Sequence, residues 1–106
     1  MDAQLRRGLL EVCVLAAVAR HDSYGYQIIR EMEPFVEISE STLYPILRRL
    51  EAGEMLSVYS VEHSGRLRKY YRLTQRGRER LVEFEQEWRE IMRIHSFISG
   101  GGASDE

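Results

Sequence analysis

The chain has 106 residues, a single cysteine and a formal net charge of −2, with 43% hydrophobic and 30% charged side chains. Such a length supports one core and leaves no room for a second, and a lone Cys13 excludes an internal disulfide. No apolar run reaches the roughly 18 residues of a membrane span, and Met1-Asp2-Ala3-Gln4 lacks the basic and apolar blocks of a signal peptide, so a cytoplasmic protein without a membrane partner is expected, its Cys13 reduced and buried.

Residues 3–20 read as the first helix. Leu5, Leu9, Val12, Cys13 and Ala16 make one stripe, widened by Leu10, Leu15 and Val18. A helix apolar nearly all round is either deeply buried or shared with a partner chain. Ser23 is the expected cap of a second helix over 24–33, with Tyr24, Ile28 and Ile29 facing inward. Gly25 in its first turn costs about 0.5–1 kcal/mol against Ala, which points to close packing there. Pro34 ends that helix, and 34–38 form a turn.

A third helix runs from about 40 to 53. Leu43, Ile46, Leu47 and Leu50 follow helical spacing on one face, leaving Ser41, Pro45 and Arg48 opposite and Tyr44 and Arg49 on the flanks. Ser39 or Ser41 caps it, Gly53 suits its end, and Pro45 predicts an irregular first turn. Two β-like runs follow, 55–62 and 67–73, joined by His63-Ser64-Gly65-Arg66 as a hairpin loop. Thr74 caps a last helix over 75–98. Its stripe of Leu81, Phe84, Trp88, Ile91, His95 and Ile98 is spaced like a heptad seam, and an exposed strip of this kind calls for a partner. The expected organisation is a winged helix-turn-helix over 1–74, a dimerisation helix over 75–98 and a disordered tail over 99–106. The fold class is mainly α with a small antiparallel β-hairpin.

Charge is segregated along this plan. Residues 1–41 carry −3, residues 42–78 carry +5 and residues 79–106 carry −4. The positive segment coincides with the third helix and the hairpin, and a phosphate backbone senses potential only within a Debye length of roughly 8–10 Å. A basic helix face followed by a basic hairpin suggests a winged helix laid on double-stranded DNA.

Three motifs then carry a resemblance: Tyr24-Gly25-Tyr26; Thr42-Leu43-Tyr44-Pro45 with Leu47, Arg49 and Leu50; and Gly65-Arg66 followed by Arg68-Lys69-Tyr70-Tyr71-Arg72-Leu73-Thr74. In their order and spacing they resemble the PadR family of bacterial transcription regulators in its short form, over roughly residues 5–98. The resemblance implies a winged helix-turn-helix homodimer whose C-terminal helix pairs with the partner's N-terminal region, and repression of a nearby operon. One departure is Ser41, where many members carry glycine.

The expected DNA contacts are Ser41, Thr42, Tyr44, Arg48, Arg49, Arg66, Arg68 and Lys69. Arg48 reaches a guanine edge or a phosphate. Tyr44 either meets the backbone or steadies its helix, and Arg49 competes with pairing to a carboxylate at the core edge. Ser41 and Thr42 sit at a helix N-terminus, suited to a phosphate or to capping alone. Arg66, Arg68 and Lys69 surround the hairpin loop, suited to the backbone or the minor groove. Tyr70 and Tyr71 are framework. The expected dimer interface is Leu5 and Leu9 with Leu81, Phe84, Trp88, Ile91, His95 and Ile98. Cys13, Phe84, Trp88 and Met92 are candidates to line a pocket for a small hydrophobic effector. His21, His63 and His95 fall in three different elements, and no HExxH, CxxC, P-loop or GxSxG pattern occurs. Catalysis, a metal and a cofactor are therefore not expected. The rival function is a winged-helix module for protein–protein contact.

Overall fold

Asp2 starts the chain's first helix, its carboxylate accepting the free backbone N–H groups of Gln4 and Leu5. In this computed structural model, residues 1–101 are described. The order is α1 (Ala3–Arg20), α2 (Gly25–Met32), α3 (Glu40–Ala52), β1 (Leu56–His63), β2 (Arg66–Leu73) and α4 (Gln75–Ile98), the mainly helical plan with one hairpin that the pattern implies.

The core forms where α1, α2 and α3 meet the base of the hairpin. α1 contributes Leu10, Val14, Leu15, Ala17 and Val18; α2 contributes Ile28 and Met32; α3 contributes Leu43, Ile46, Leu47 and Leu50. All four of the α3 residues expected inside are there. On α1 the emphasis is reversed. The stripe read as its main face leaves Leu5 exposed and Leu9, Cys13 and Ala16 half-buried, while the flanking residues make the core. Both faces are apolar, so composition could not rank them; the side on which α2 and α3 pack decides.

Ser23 does not cap α2. The cap position is Tyr24, with no side-chain bond, and Ser23 is fully buried as a one-residue strand against β2. Its N–H donates to the Tyr71 carbonyl at 3.1 Å and its carbonyl accepts from the Tyr71 N–H at 2.7 Å. The open edge of β2 offers two backbone bonds where a cap offers one. The Ser23 hydroxyl donates instead to Gln27 Oε1 at 3.0 Å.

At the start of α3, the Ser39 carbonyl accepts from both Thr42 and Leu43 N–H, at 3.1 and 2.9 Å, while its hydroxyl caps Thr42 N–H. Pro45 lacks only the N–H that would reach the Ser41 carbonyl, and the helix runs on through the proline. Gly53 closes α3 with φ −84°; the left-handed residue is Glu54, at φ 62°.

The strands pair from Leu56↔Leu73 to His63↔Arg66. The loop expected over 63–66 is therefore shorter than read, since His63 and Arg66 still pair. Only Ser64 (φ 52°) and Gly65 (φ 79°) turn, the two positive-φ residues of a type I′ turn, whose twist suits paired strands. Thr74 then caps α4, accepting from Gly77 N–H at 3.0 Å and donating to the Glu54 carbonyl at 2.7 Å. A Cβ at Gly77 would strike the Met55 carbonyl and Leu73 Cδ1, so this glycine lets α4 lie against the α3–β1 connection. Past Phe84 the helix leaves the body, giving a molecule of 63 × 27 × 21 Å. Ser99 N–H closes α4 on the His95 carbonyl at 2.9 Å. Of the disordered tail expected over 99–106, positions 102–106 lie outside the described residues.

Candidate nucleic-acid interface

With its inner face locked in the core, α3 presents Ser41, Thr42, Tyr44 and Arg48 to solvent. Arg48 is exposed and makes no hydrogen bond or ion pair among the described residues, so its guanidinium is available to an incoming ligand. Ser41 and Thr42 belong to the hydroxyl cluster at the helix start: Ser39 Oγ lies 3.0 Å from Ser41 Oγ and donates to Thr42 Oγ1 at 3.2 Å. Arg49 turns the other way. Its Nε and an Nη donate to one oxygen of Glu11 on α1, at 3.0 and 2.8 Å. This is the core-edge pairing that competed with a DNA contact, and it ties α3 to α1.

Tyr44 is 40% exposed and its ring lies across the first turn of α2. A Cβ on Gly25 would come within 2.5 Å of the phenol oxygen. The close approach expected at Gly25 is therefore to a side chain of the following helix. Together Tyr24, Gly25, Tyr26, Tyr44, Arg68, Lys69 and Tyr71 line one cleft of about 510 Å³ between α2, α3 and the wing. Burial pushes the Tyr71 phenol up, keeping it neutral.

The three wing cations are not clustered at the tip. Arg66 stands beside the turn. Arg68 and Lys69 lie two and three residues further on, on opposite faces of the strand, at about 3.3 Å per residue. Arg68 stacks on Tyr24, 4.2 Å from the ring centre, and Lys69 lies 5.8 Å from that of Tyr71. Leu67, near the tip, is 76% exposed. The outer face of the hairpin continues the stacking: Tyr24 meets Tyr70 edge-on at 5.3 Å, Tyr70 stacks on Tyr59 at 5.6 Å, and Arg72 caps Tyr59 at 4.8 Å. Tyr70 packs between Tyr24 and Tyr59, and Tyr71 is buried at the floor of the wing.

Sequence reasoning missed Tyr24 and Tyr26 as walls of the cleft. It also missed Arg6 and Arg7, which line a groove of about 320 Å³ with Thr42 and Pro45 beside the start of α3. Nothing local links residues this far apart in the chain; the signal is only that Arg6 and Arg7 form a basic pair in the early turns of a mostly apolar helix.

On the opposite side, Leu9, Val12, Cys13, Ala16, Leu81, Val82 and Phe84, together with Glu85, line a mostly apolar groove of about 610 Å³ between α1 and α4. Cys13 and Phe84, two of the four effector candidates, thus meet; Trp88 and Met92 lie further along α4. Partial burial pushes the Cys13 thiol up, which disfavours a reactive thiolate. Along the seam, Leu81 and Phe84 are half-buried, whereas Trp88, Ile91, His95 and Ile98 are open to solvent.

The helix pair, the basic wing and the cleft between them define a winged helix-turn-helix DNA-binding protein. The chain belongs to the PadR-like family of transcriptional regulators, whose profile matches residues 14–83. It is 46% identical to smu.1704 of Streptococcus mutans, with a TM-score of 0.76 and 92% of each chain covered. A PadR-like transcription factor of Bacteroides fragilis is 37% identical at a TM-score of 0.82, covering 91% of this chain and 95% of that one. The transcriptional regulator Rv3488 of Mycobacterium tuberculosis is 31% identical over 104 residues, covering 93% and 97%. The family, the Bacteroides protein and Rv3488 are transcriptional regulators. Among the described residues no helix is long and apolar enough to cross a membrane.

Proposed function

We propose that this chain is a cytoplasmic homodimeric repressor that binds a pseudo-palindromic operator and is released by a small hydrophobic effector. The observation that carries the DNA reading is the shared cleft: Tyr44 on α3 and Arg68 and Lys69 on the wing surround one opening, and α3 also presents Arg48, exposed and unpaired among the described residues. In this reading Arg48 enters the major groove and addresses a base edge. Ser41, Thr42, Lys69 and Arg66 address phosphates, and Arg68, held on Tyr24, lines the passage for the backbone. Arg49, bonded to Glu11, is left with a structural role.

Dimerisation rests on α4. Trp88, Ile91 and Ile98 remain 47%, 41% and 74% exposed in the single chain, and an open aromatic strip of this extent favours a partner. A second copy would cover the seam, with Leu5 and Leu9 of α1 contributing. Two recognition helices would then meet successive major grooves about 34–36 Å apart. The α1–α4 groove falls within the roughly 300–1,000 Å³ of ligand sites, and a partner's Trp88 and Met92 would complete its wall for a planar apolar molecule. The repressive outcome is carried over from the family resemblance.

Protection mapping on the DNA upstream of the chain's own gene, at two salt concentrations, tests the reading. Two protected segments related by a dyad, weakened steeply by salt, are expected. Salt-insensitive behaviour with no protected segment would overturn it in favour of a protein-contact module.

A further inference from the structure

Asp22 lies in the turn between α1 and α2, and its Oδ2 accepts from the Tyr59 hydroxyl at 2.7 Å and from Arg72 Nε at 3.2 Å. The two donors come from different strands. The pairing of Ser57 with Arg72 and of Tyr59 with Tyr70 puts both on the outer face of the wing. From there the contacts run on as Tyr59 on Tyr70, Tyr70 on Tyr24, and Arg68 over Tyr24. One carboxylate therefore ends a row of three packed tyrosines flanked by Arg72 and Arg68, whose far member is a cation of the cleft. A two-stranded hairpin has little stability of its own; the buried Leu56, Tyr71 and Leu73 and the neighbouring Ser23–Tyr71 bridge anchor its base on the inner face. The charge-assisted bonds of Asp22 hold side chains from both strands at a second point.

We propose that Asp22 is a positioning residue for DNA binding: through Tyr59 and Arg72 it fixes the wing at the angle at which Arg68 and Lys69 share a cleft with Tyr44. The proposal rests on reading that cleft as the DNA-facing surface. Asp22 makes no contact with DNA in it. Its negative charge near a polyanion would, on Coulomb grounds alone, weaken binding, and its removal would strengthen it.

That opposition of signs makes the test. Full-length protein is titrated into a fluorescently labelled duplex of unrelated sequence over about 50–200 mM salt, because wing contacts to phosphates register in non-specific binding. Asp22→Ala is expected to bind about five- to tenfold more weakly at the lowest salt, and to lose about one to two units from the log–log salt slope, at about 0.9 per phosphate contact. Tyr59→Phe should move both readouts in the same direction by less, and Asp22→Asn, which keeps an acceptor, should recover part of the loss. Equal or tighter binding by folded Asp22→Ala, with an unchanged slope, overturns the proposal. So does a lower melting temperature with affinity and slope intact, because that marks Asp22 as merely stabilising. If Asp22→Ala fails to fold, Tyr59→Phe decides by the same criteria. Wild-type protein that binds no duplex at any salt overturns the DNA reading itself, a result distinct from failure of the Asp22 variants alone.

Discussion

At the scale of single residues, the site is built by contacts that make small side chains necessary. Gly25 has no Cβ because the Tyr44 phenol occupies that space. Tyr44 is part-exposed and its far end can swing away, so Gly25→Ala should leave the melting temperature nearly unchanged, the gain in helix propensity of about 0.5–1 kcal/mol offsetting the displaced contact. DNA affinity should fall, and Gly25→Ala and Tyr44→Ala should be non-additive in a double-mutant cycle of binding. Full additivity would mean that the two do not act through one ring position. Arg48→Ala should relax base preference at one operator position at a cost of about 1–3 kcal/mol, whereas Lys69→Ala should weaken all sequences alike and flatten the salt slope by about 0.9. Binding of both variants like wild type would move the contact face elsewhere. Glu54 adopts φ 62° beside a glycine that does not need it. A left-handed conformation costs a non-glycine residue about 1–2 kcal/mol, partly offset by the entropy of glycine, so Glu54→Gly should be neutral or stabilising by up to about 1 kcal/mol in urea unfolding.

Among elements, the turn between α1 and α2 carries two titrating side chains with opposite pH behaviour. The Asp22 carboxyl is held below its ordinary value of 3.8, first by the Tyr59 hydroxyl and then by Arg72. Its contribution to stability is therefore in place above that value and disappears as pH falls through the lower, folded-state pKa. His21 is raised above 6.5, first by its Nδ1–H bond to the Asp22 carbonyl, with Glu31 adding to the effect through Nε2 at 3.0 Å. Its contribution is complete below 6.5 and is lost as pH rises through the raised value. Thermal melts of wild type and His21→Ala should therefore differ most in mildly acidic buffer and converge on the alkaline side. A gap that widened with pH would show that His21 is not stabilised as the cation. Because His21 is surface-exposed, the difference should be small and should shrink with salt.

For the whole molecule, the decisive feature is a 24-residue α4 that uses its first turns on the body and leaves the remainder open. Sedimentation should find a dimer at micromolar concentrations. Trp88→Glu or Ile91→Glu should shift it to monomer while the helical circular dichroism of the body is retained, since the core residues lie on α1–α3 and the hairpin. The same variants should lose operator binding far more than non-specific binding, because dyad recognition needs two correctly spaced helices. A monomeric wild type with full operator affinity would remove the paired-groove arrangement. In the proposed dimer, where the partner's Trp88 walls the α1–α4 groove, planar apolar compounds that release DNA should quench its fluorescence, and a Trp88 unresponsive across a broad panel of releasing compounds would place the effector elsewhere.

What the sequence determined by itself is the set of elements and their local chemistry. Helical spacing placed Leu43, Ile46, Leu47 and Leu50 inside and Arg48 outside, Thr74 marked the start of α4, and the +5 segment marked the basic face. These follow from periods of 3.6 and 2 residues and from residue types, which neighbours in the chain reveal. Tertiary structure decided everything that depends on elements meeting. α1 is apolar on two faces, and only the packing of α2 and α3 made Leu10 and Val14 core while leaving Leu9 and Cys13 on a groove. Ser23 had the chemistry of a cap, but an open strand edge claimed its backbone. Arg49 had the chemistry of a DNA contact, and Glu11, 38 residues away, claimed its guanidinium. Asp22 carried no sequence signal, because its meaning lies in Tyr59 and Arg72, which only the folded hairpin brings within hydrogen-bonding range.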